Sequence, residues 1–410
     1  MTNSEVPGPM ISSRESGSNA ARWGVVSIFA LASTWNYLDR NVLAAAAPRV
    51  RAEFHLSNAE YGWVLSAFSL AYALASPATG WLLDWLGVEI GIAWAVAMWS
   101  LSSVLGGLSR GFGQLLGVRA LLGGFESVGV PAAGKLNAAY LEPKNLAIGA
   151  AVTQVGLSIA GVVAPWLVAA MPGWRQPFFV CAALGLLWIP IFLLARRRVA
   201  PYQAVLPQRR GRGLELLRDK RLQKLMIANA LWMSIYSLWS NWTTAYLTHT
   251  FGLSVKDVAV FAWFPPVAST LGAFFGGWIS RRAIVRGAAA CNARVTGAFV
   301  SAIGCLVTLV VPACPSPVTA MLAVSASYFW ATAGSVNLYT IPLDLWGGER
   351  AGTAIAALVF AYGILQTVIS PVIGAIVDHS GYAPACWLFA PLPLVAWWLL
   401  RSLCTPQAEP

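Results

Sequence analysis

Apolar residues in this chain arrive in runs of roughly twenty, separated by short polar breaks. A helix rises about 1.5 Å per residue, so a run of that length crosses the ~30 Å hydrocarbon core of a bilayer. Twelve runs begin near residues 23, 61, 88, 111, 145, 175, 224, 257, 288, 316, 351 and 383. In lipid the backbone must satisfy its own hydrogen bonds, and a helix does so within each segment. The pattern therefore predicts an all-α polytopic membrane protein with twelve transmembrane helices.

The polar breaks divide the chain further. Residues 1–20, rich in Ser, Gly and Pro, read as a disordered tail and lack the short apolar core of a signal peptide. A six-helix bundle is expected over 21–197, a basic linker over 198–221, a second bundle over 222–404 and a tail over 405–410. The two bundles share a repeat. Phe54-His-Leu56-Ser57-Asn-Ala-Glu60 recurs 197 residues later as Phe251-Gly-Leu253-Ser254-Val-Lys-Asp257, and the same offset carries Gly80-Trp81-Leu82 to Gly277-Trp278-Ile279. In each copy a Ser followed three residues on by an acid predicts a capped helix start. Two pseudo-symmetric six-helix bundles are the plan of transporters that hold substrate near the midplane and rock around it.

Composition agrees. Only 10% of residues are charged, against about 25% in a soluble domain. The net charge of +11 is concentrated at Arg196–Arg198, Arg209, Arg210, Arg212, Arg218, Lys220, Arg221 and Lys224, and again at Arg281, Arg282 and Arg286. Clusters of this kind mark cytoplasmic loops. They place both termini in the cytoplasm and argue for a lipid bilayer, with no nucleic acid, as the partner of the charge. The six cysteines form no CxxC pair and are expected to be small apolar filler. The three histidines fall in loops, so no metal set is expected. No nucleophile–base pair or phosphate loop suggests an enzyme. Trp23, Trp85 and Trp174, near span ends, suit the interfacial aromatic belt.

Four ionisable residues fall well inside spans: Asp39, Arg40, Arg119 and Glu126. Each costs about 2.5–3.5 kcal/mol at a helix centre, so such groups face a bundle interior or a cavity. Arg119 and Glu126, seven apart, share one helix face, as do Tyr37 and Arg40. Adding 197 to Asp39 and Arg40 gives Tyr236 and Ser237, so the second half has no matching charge pair. The four charges either neutralise one another as a structural lock or line a watery path and exchange protons. An arginine fork donates two parallel hydrogen bonds to a carboxylate, which makes a small organic anion the natural ligand. The expected division gives the substrate to Arg40 and makes Arg119 the charge partner of an acid. Tyr72, Gln154 and Asn337 add mid-span hydrogen-bonding groups, and Gly123-Gly124 should let span 1 or 5 approach span 4 closely.

These residues resemble the major facilitator superfamily, and within it the anion:cation symporters, in a pattern similar to bacterial hexuronate and aldonate transporters. The resemblance rests on Asn36-Tyr37-Leu38-Asp39-Arg40, Ala67-Phe68-Ser-Leu-Ala71-Tyr72, Phe125-Glu126-Ser-Val-Gly-Val-Pro131, Ala164-Pro165, Gly173-Trp174-Arg175, Phe261-Ala262-Trp263-Phe-Pro265 and Asn337-Leu338-Tyr-Thr-Ile-Pro342-Leu-Asp344. It implies proton-coupled uptake of a sugar acid by a monomer in the bacterial inner membrane, with the proton gradient and no cofactor. Asp39 and Glu126 would then couple protons, while Arg40, Tyr37, Tyr72, Gln154 and Asn337 would lie near the sugar acid, and Trp242 is a candidate for stacking on its face. The chain departs from the pattern after span 2, where an expected basic pair reads Val88-Glu89, and in span 7, where Trp242-Thr-Thr-Ala-Tyr246 lacks the usual proline. Spinster-type carriers share the N-Y-x-D-R element, so an exporter or exchanger of a lipid-like solute is the alternative.

Overall fold

A computed structural model describes residues 18–142, 145–202 and 214–404. Most of the expected tails, and residues 203–213 of the expected linker, lie outside the described residues. The first bundle contains α1 (Asn19–Phe54), α2 (Asn58–Leu86), α3 (Val88–Gly107), α4 (Phe112–Tyr140), α5 (Leu146–Ala170) and α6 (Gln176–Arg197). The second contains α7 (Lys220–Phe251), α8 (Val255–Val285), α9 (Ala290–Ala313), α10 (317–346), α11 (Arg350–Ser380) and α12 (Tyr382–Leu400). Gly347, at φ +66°, turns the chain between α10 and α11 and is free to do so because it lacks a Cβ. Both repeat copies start their helices as the sequence predicts. Ser57 with Glu60 caps α2, and Ser254 with Asp257 caps α8, each as a reciprocal capping box.

Among the described residues three spans break where the sequence removes backbone donors: α4, α8 and α12, the last at Ala390–Pro391. In α4 the helix stops at Glu126 and resumes at Gly129. Pro131 has no N–H to offer the Ser127 carbonyl four residues back, and the Ser127 hydroxyl donates to the Gly124 carbonyl at 2.7 Å. In α8 the break falls at Ala262–Trp263, just before Pro265 and Pro266. The first break puts Glu126 at a helix end inside the bundle.

The halves are joined at the face away from the chain termini. There α2 and α11 touch backbone to backbone: a Cβ on Gly62 would lie 2.5 Å from Pro371, and one on Gly374 2.2 Å from the Asn58 carbonyl. Only glycine allows that approach. The Asp378 carboxylate, at the end of α11, accepts from the Asn58 and Ala59 backbone N–H groups, both at 2.9 Å, and from the Asn58 amide at 2.7 Å. Deeper in, the Ser66 hydroxyl donates to the Thr367 carbonyl at 2.5 Å. Helices α5 and α8 meet through Ser158 and Thr270 at 3.3 Å.

Several expectations are corrected. Gly123 does admit a close neighbour, but it is α2, whose Phe68 carbonyl would lie 2.2 Å from an added Cβ; Gly124 faces open space. Trp174 is buried rather than interfacial. It packs against Phe54 and Phe178 and donates to Glu53 at 2.5 Å, beside the Arg175–Glu53 ion pair. Cys291 and Cys404 are not filler. They form a disulfide joining the start of α9 to the residues after α12, a proximity hidden by a sequence separation of 113. Glu89, which stands where a basic residue was expected, accepts from Tyr140 and Arg196. It ties α3 to the ends of α4 and α6 within one half.

Candidate functional site

Consecutive residues on a helix point about 100° apart, so Asp39 and Arg40 leave α1 in different directions. Arg40 reaches α4, where its Nε donates to Glu126 Oε2 at 2.6 Å, and its Nη2 donates to Asn36 Oδ1 at 3.0 Å. Aromatic rings cage the guanidinium: its Cζ lies 4.8 Å from the Tyr37 ring centre, 4.9 Å from Phe68 and 4.8 Å from Tyr72. A desolvated cation over ring faces gains about 2 kcal/mol per good contact. The cage and the buried Glu126 together hold a charge that lipid alone would reject. Asn36 also donates to the Glu126 carbonyl at 3.5 Å, fastening α1 to the broken end of α4.

Asp39 points instead into the first bundle, beside Ser103 of α3 and Cys181 of α6. It is 1% exposed, and among the described residues its Oδ1 has no hydrogen-bond partner. Arg119 is 3% exposed and lies against Phe68 at 4.6 Å. Among the described residues it forms no ion pair, and its Nε and Nη1 have no partner. The expected division of the arginines is therefore not the one observed: Arg40 holds the acid and Arg119 does not. The reason is the helix break, which turns Glu126 toward α1. Of the four charges, Arg40 alone is partly exposed, and none of them lines the cavity between the halves. The Arg40 side chain is 23% exposed, whereas Glu126 is fully buried.

Two further candidates are placed elsewhere. Trp242 is fully buried and meets Tyr61 edge to face at 5.5 Å, in the packing between α7 and α2. It faces α2 and is not among the residues that line the cavity between the halves. Asn337 is fully buried and donates to the Gly276 carbonyl of α8 at 3.1 Å and to Ala333 of its own helix at 3.0 Å. It joins helices rather than facing a cavity. Asn337→Ala is expected to cost about 1 kcal/mol, the usual scale of an interhelical hydrogen bond in lipid. A fall of a few degrees in melting temperature with ligand affinity unchanged would confirm this; lost affinity at unchanged stability would restore the binding role. Gln154 lies in α5, but its side chain is outside the described residues.

What sequence reasoning missed is the wall opposite Tyr37. A cavity of about 140 Å³ lies between the halves. Tyr37, Asn41 and Ser158 line one side, and Tyr236, Trp239, Ser240, Thr243, Thr244 and Tyr328 line the other. The α7 residues recur at helical spacing, a signal present in the sequence. The positional match of Asp39 to Tyr236 across the repeat was a second pointer to this wall.

Two six-helix bundles around a shared cavity, with one partly open arginine held by a buried acid, define a polytopic membrane transporter. The sequence profile of the Major Facilitator Superfamily matches residues 29–364, and the chain belongs to that superfamily. It is similar to the hexuronate transporter of Escherichia coli (strain K12), 25% identical over 93% of this chain and 94% of the relative. It is also similar to the galacturonate transporter of Dickeya chrysanthemi, 26% identical over 63% of this chain and 81% of the relative. Among solved structures, a bacterial homolog of the human lysosomal transporter Spinster, inward-facing and unoccupied, matches with a TM-score of 0.74 at 20% identity. That match covers 94% of this chain and 95% of the other, and it shows the fold alone.

Proposed function

We propose that this chain imports a sugar-acid anion, of the hexuronate or aldonate class, together with protons across a bacterial inner membrane, with both termini in the cytoplasm. The observation that carries the reading is the Arg40–Glu126 pair: a caged, partly exposed cation whose counter-ion is sealed from water. A carboxylate arriving at Arg40 competes with Glu126 for the same guanidinium. Once displaced, Glu126 is a buried carboxylate without its partner, and a proton replaces the guanidinium as its counter-charge. Substrate and proton then bind together, and neither charge crosses alone. Asp39, in its own niche between α1, α3 and α6, is the second proton carrier in this scheme. Access to the buried acids comes with the alternating movement of the halves. The names of the relatives support the substrate class.

The test is uptake of labelled glucuronate, galacturonate and gluconate into proteoliposomes with an imposed pH gradient. Gradient-driven accumulation is expected for at least one of them. Arg40→Lys should weaken its binding at least ten-fold, because a lysine cannot hold both Asn36 and a carboxylate through a planar fork. Accumulation indifferent to the gradient, or an unchanged affinity in Arg40→Lys, overturns the scheme.

A further inference from the structure

Trp239 lies on the α7 wall of the cavity and is 1% exposed, yet among the described residues its indole N–H has no acceptor. Buried indole N–H groups ordinarily find a partner, and leaving one unmade is costly. Its neighbours do not supply one. The Thr243 hydroxyl donates back to the Trp239 carbonyl at 2.5 Å, and the Ser240 hydroxyl to Ser237 at 3.4 Å. Each hydroxyl keeps a lone pair for a donor that enters the cavity, Ser240 also lying within hydrogen-bond reach of Tyr328. Tyr236 meets Tyr328 edge to face at 5.5 Å and completes an aromatic rim. Among the described residues, nothing charged lines this cavity. The charge lies one ring away, since Tyr37 forms part of the wall and also underlies Arg40.

Resting on the sugar-acid reading above, we infer that Trp239 is a specificity-determining residue: its N–H donates to an oxygen of the solute's hydroxylated body, and its uncharged wall restricts the site to solutes with a single carboxylate. The carboxylate stays at Arg40 while the body occupies the cavity. Hydroxyl groups find the lone pairs of Ser240 and Thr243 and the donor of Trp239, and a ring form gains the faces of Tyr236 and Tyr328. A second carboxylate at the far end meets no cation there and would be desolvated unpaired. The selection is thus made by the half that has no matching charges.

Calorimetry on the purified full chain tests this with glucuronate and with glucarate, its dicarboxylate counterpart, at pH 7. Wild type is expected to bind glucarate at least ten-fold more weakly than glucuronate, a comparison that needs no variant. Trp239→Phe keeps a ring and loses the donor. With a melting temperature near that of wild type, it should bind glucuronate about ten-fold more weakly and bind acetate, which has no hydroxylated body, as wild type does. Equal affinity for the two acids, or an unchanged glucuronate affinity in Trp239→Phe, overturns the assignment. Failure of wild type to bind either acid, or any aldonate, overturns the sugar-acid reading and this assignment with it.

Discussion

Glu126→Gln is expected to uncouple the carrier: accumulation driven by a pH gradient falls to simple equilibration, while exchange of internal for external sugar acid continues. Glutamine keeps an oxygen within reach of the Arg40 Nε, 2.6 Å from the native carboxylate. In the proposed symport, glutamine retains neither the charge that substrate must displace nor the site that takes a proton. Arg40 is then uncompensated until substrate arrives, so substrate affinity should rise even as accumulation is lost. Stability should fall as well. Removing one partner of a buried pair costs about 3–5 kcal/mol, and the partial exposure and ring cage of Arg40 place this case at the low end. Asp39→Asn differs in one respect that separates the two acids. Asp39 does not touch Arg40, so its loss should abolish accumulation without raising affinity. Vesicle uptake with an imposed gradient, paired with counterflow exchange, reads both quantities. Full accumulation in both variants would remove the two acids from proton coupling.

The helices were legible because lipid enforces length and apolarity. Each expected start falls within four residues of the observed one, from α1 at Asn19 to α12 at Tyr382. The caps at Ser57 and Ser254 were legible because a capping box is a local code. Tertiary partners were not. Arg40 and Arg119 are equivalent in sequence, and what separates them is the direction Glu126 takes at a helix break created by Pro131, five residues on. Trp242 and Trp239 stand three apart, and only the rotation of α7 decides that one packs on Tyr61 and the other lines the cavity. Asn337 looked like a polar group in search of a ligand. Its partner is a carbonyl exposed to it by close packing at Gly276, which no reading of one segment can reveal. The paired Cys291 and Cys404 teach the same point about helix ends.

The second large effect is conformational. Asp378→Asn should loosen the face where the halves meet and shift the carrier toward the state open on that side. Its carboxylate takes three hydrogen bonds from the first residues of α2, two of them from backbone N–H groups. A helix N-terminus carries partial positive charge, so an anion from the other half is held there by both hydrogen bonds and dipole. Taken at full strength, three charge-assisted bonds would be worth several kcal/mol. The side chain is exposed, however, and solvent screens surface charge, so about 1 kcal/mol is the appropriate scale. That corresponds to roughly a five-fold change in the ratio of the two states. Gly62 and Gly374 keep the backbones in contact and make the junction close as a unit rather than residue by residue. Ser66 lies within it, 2% exposed. In a chain stripped of its native cysteines, Ser66→Cys should react with a membrane-impermeant maleimide about five-fold faster when Asp378→Asn is added. Asn58→Ala, which removes one hydrogen bond and leaves the charge, should give a smaller increase. Identical labelling rates in all three would mean that the helices are held by their packing and that the carboxylate contributes nothing to the balance between states.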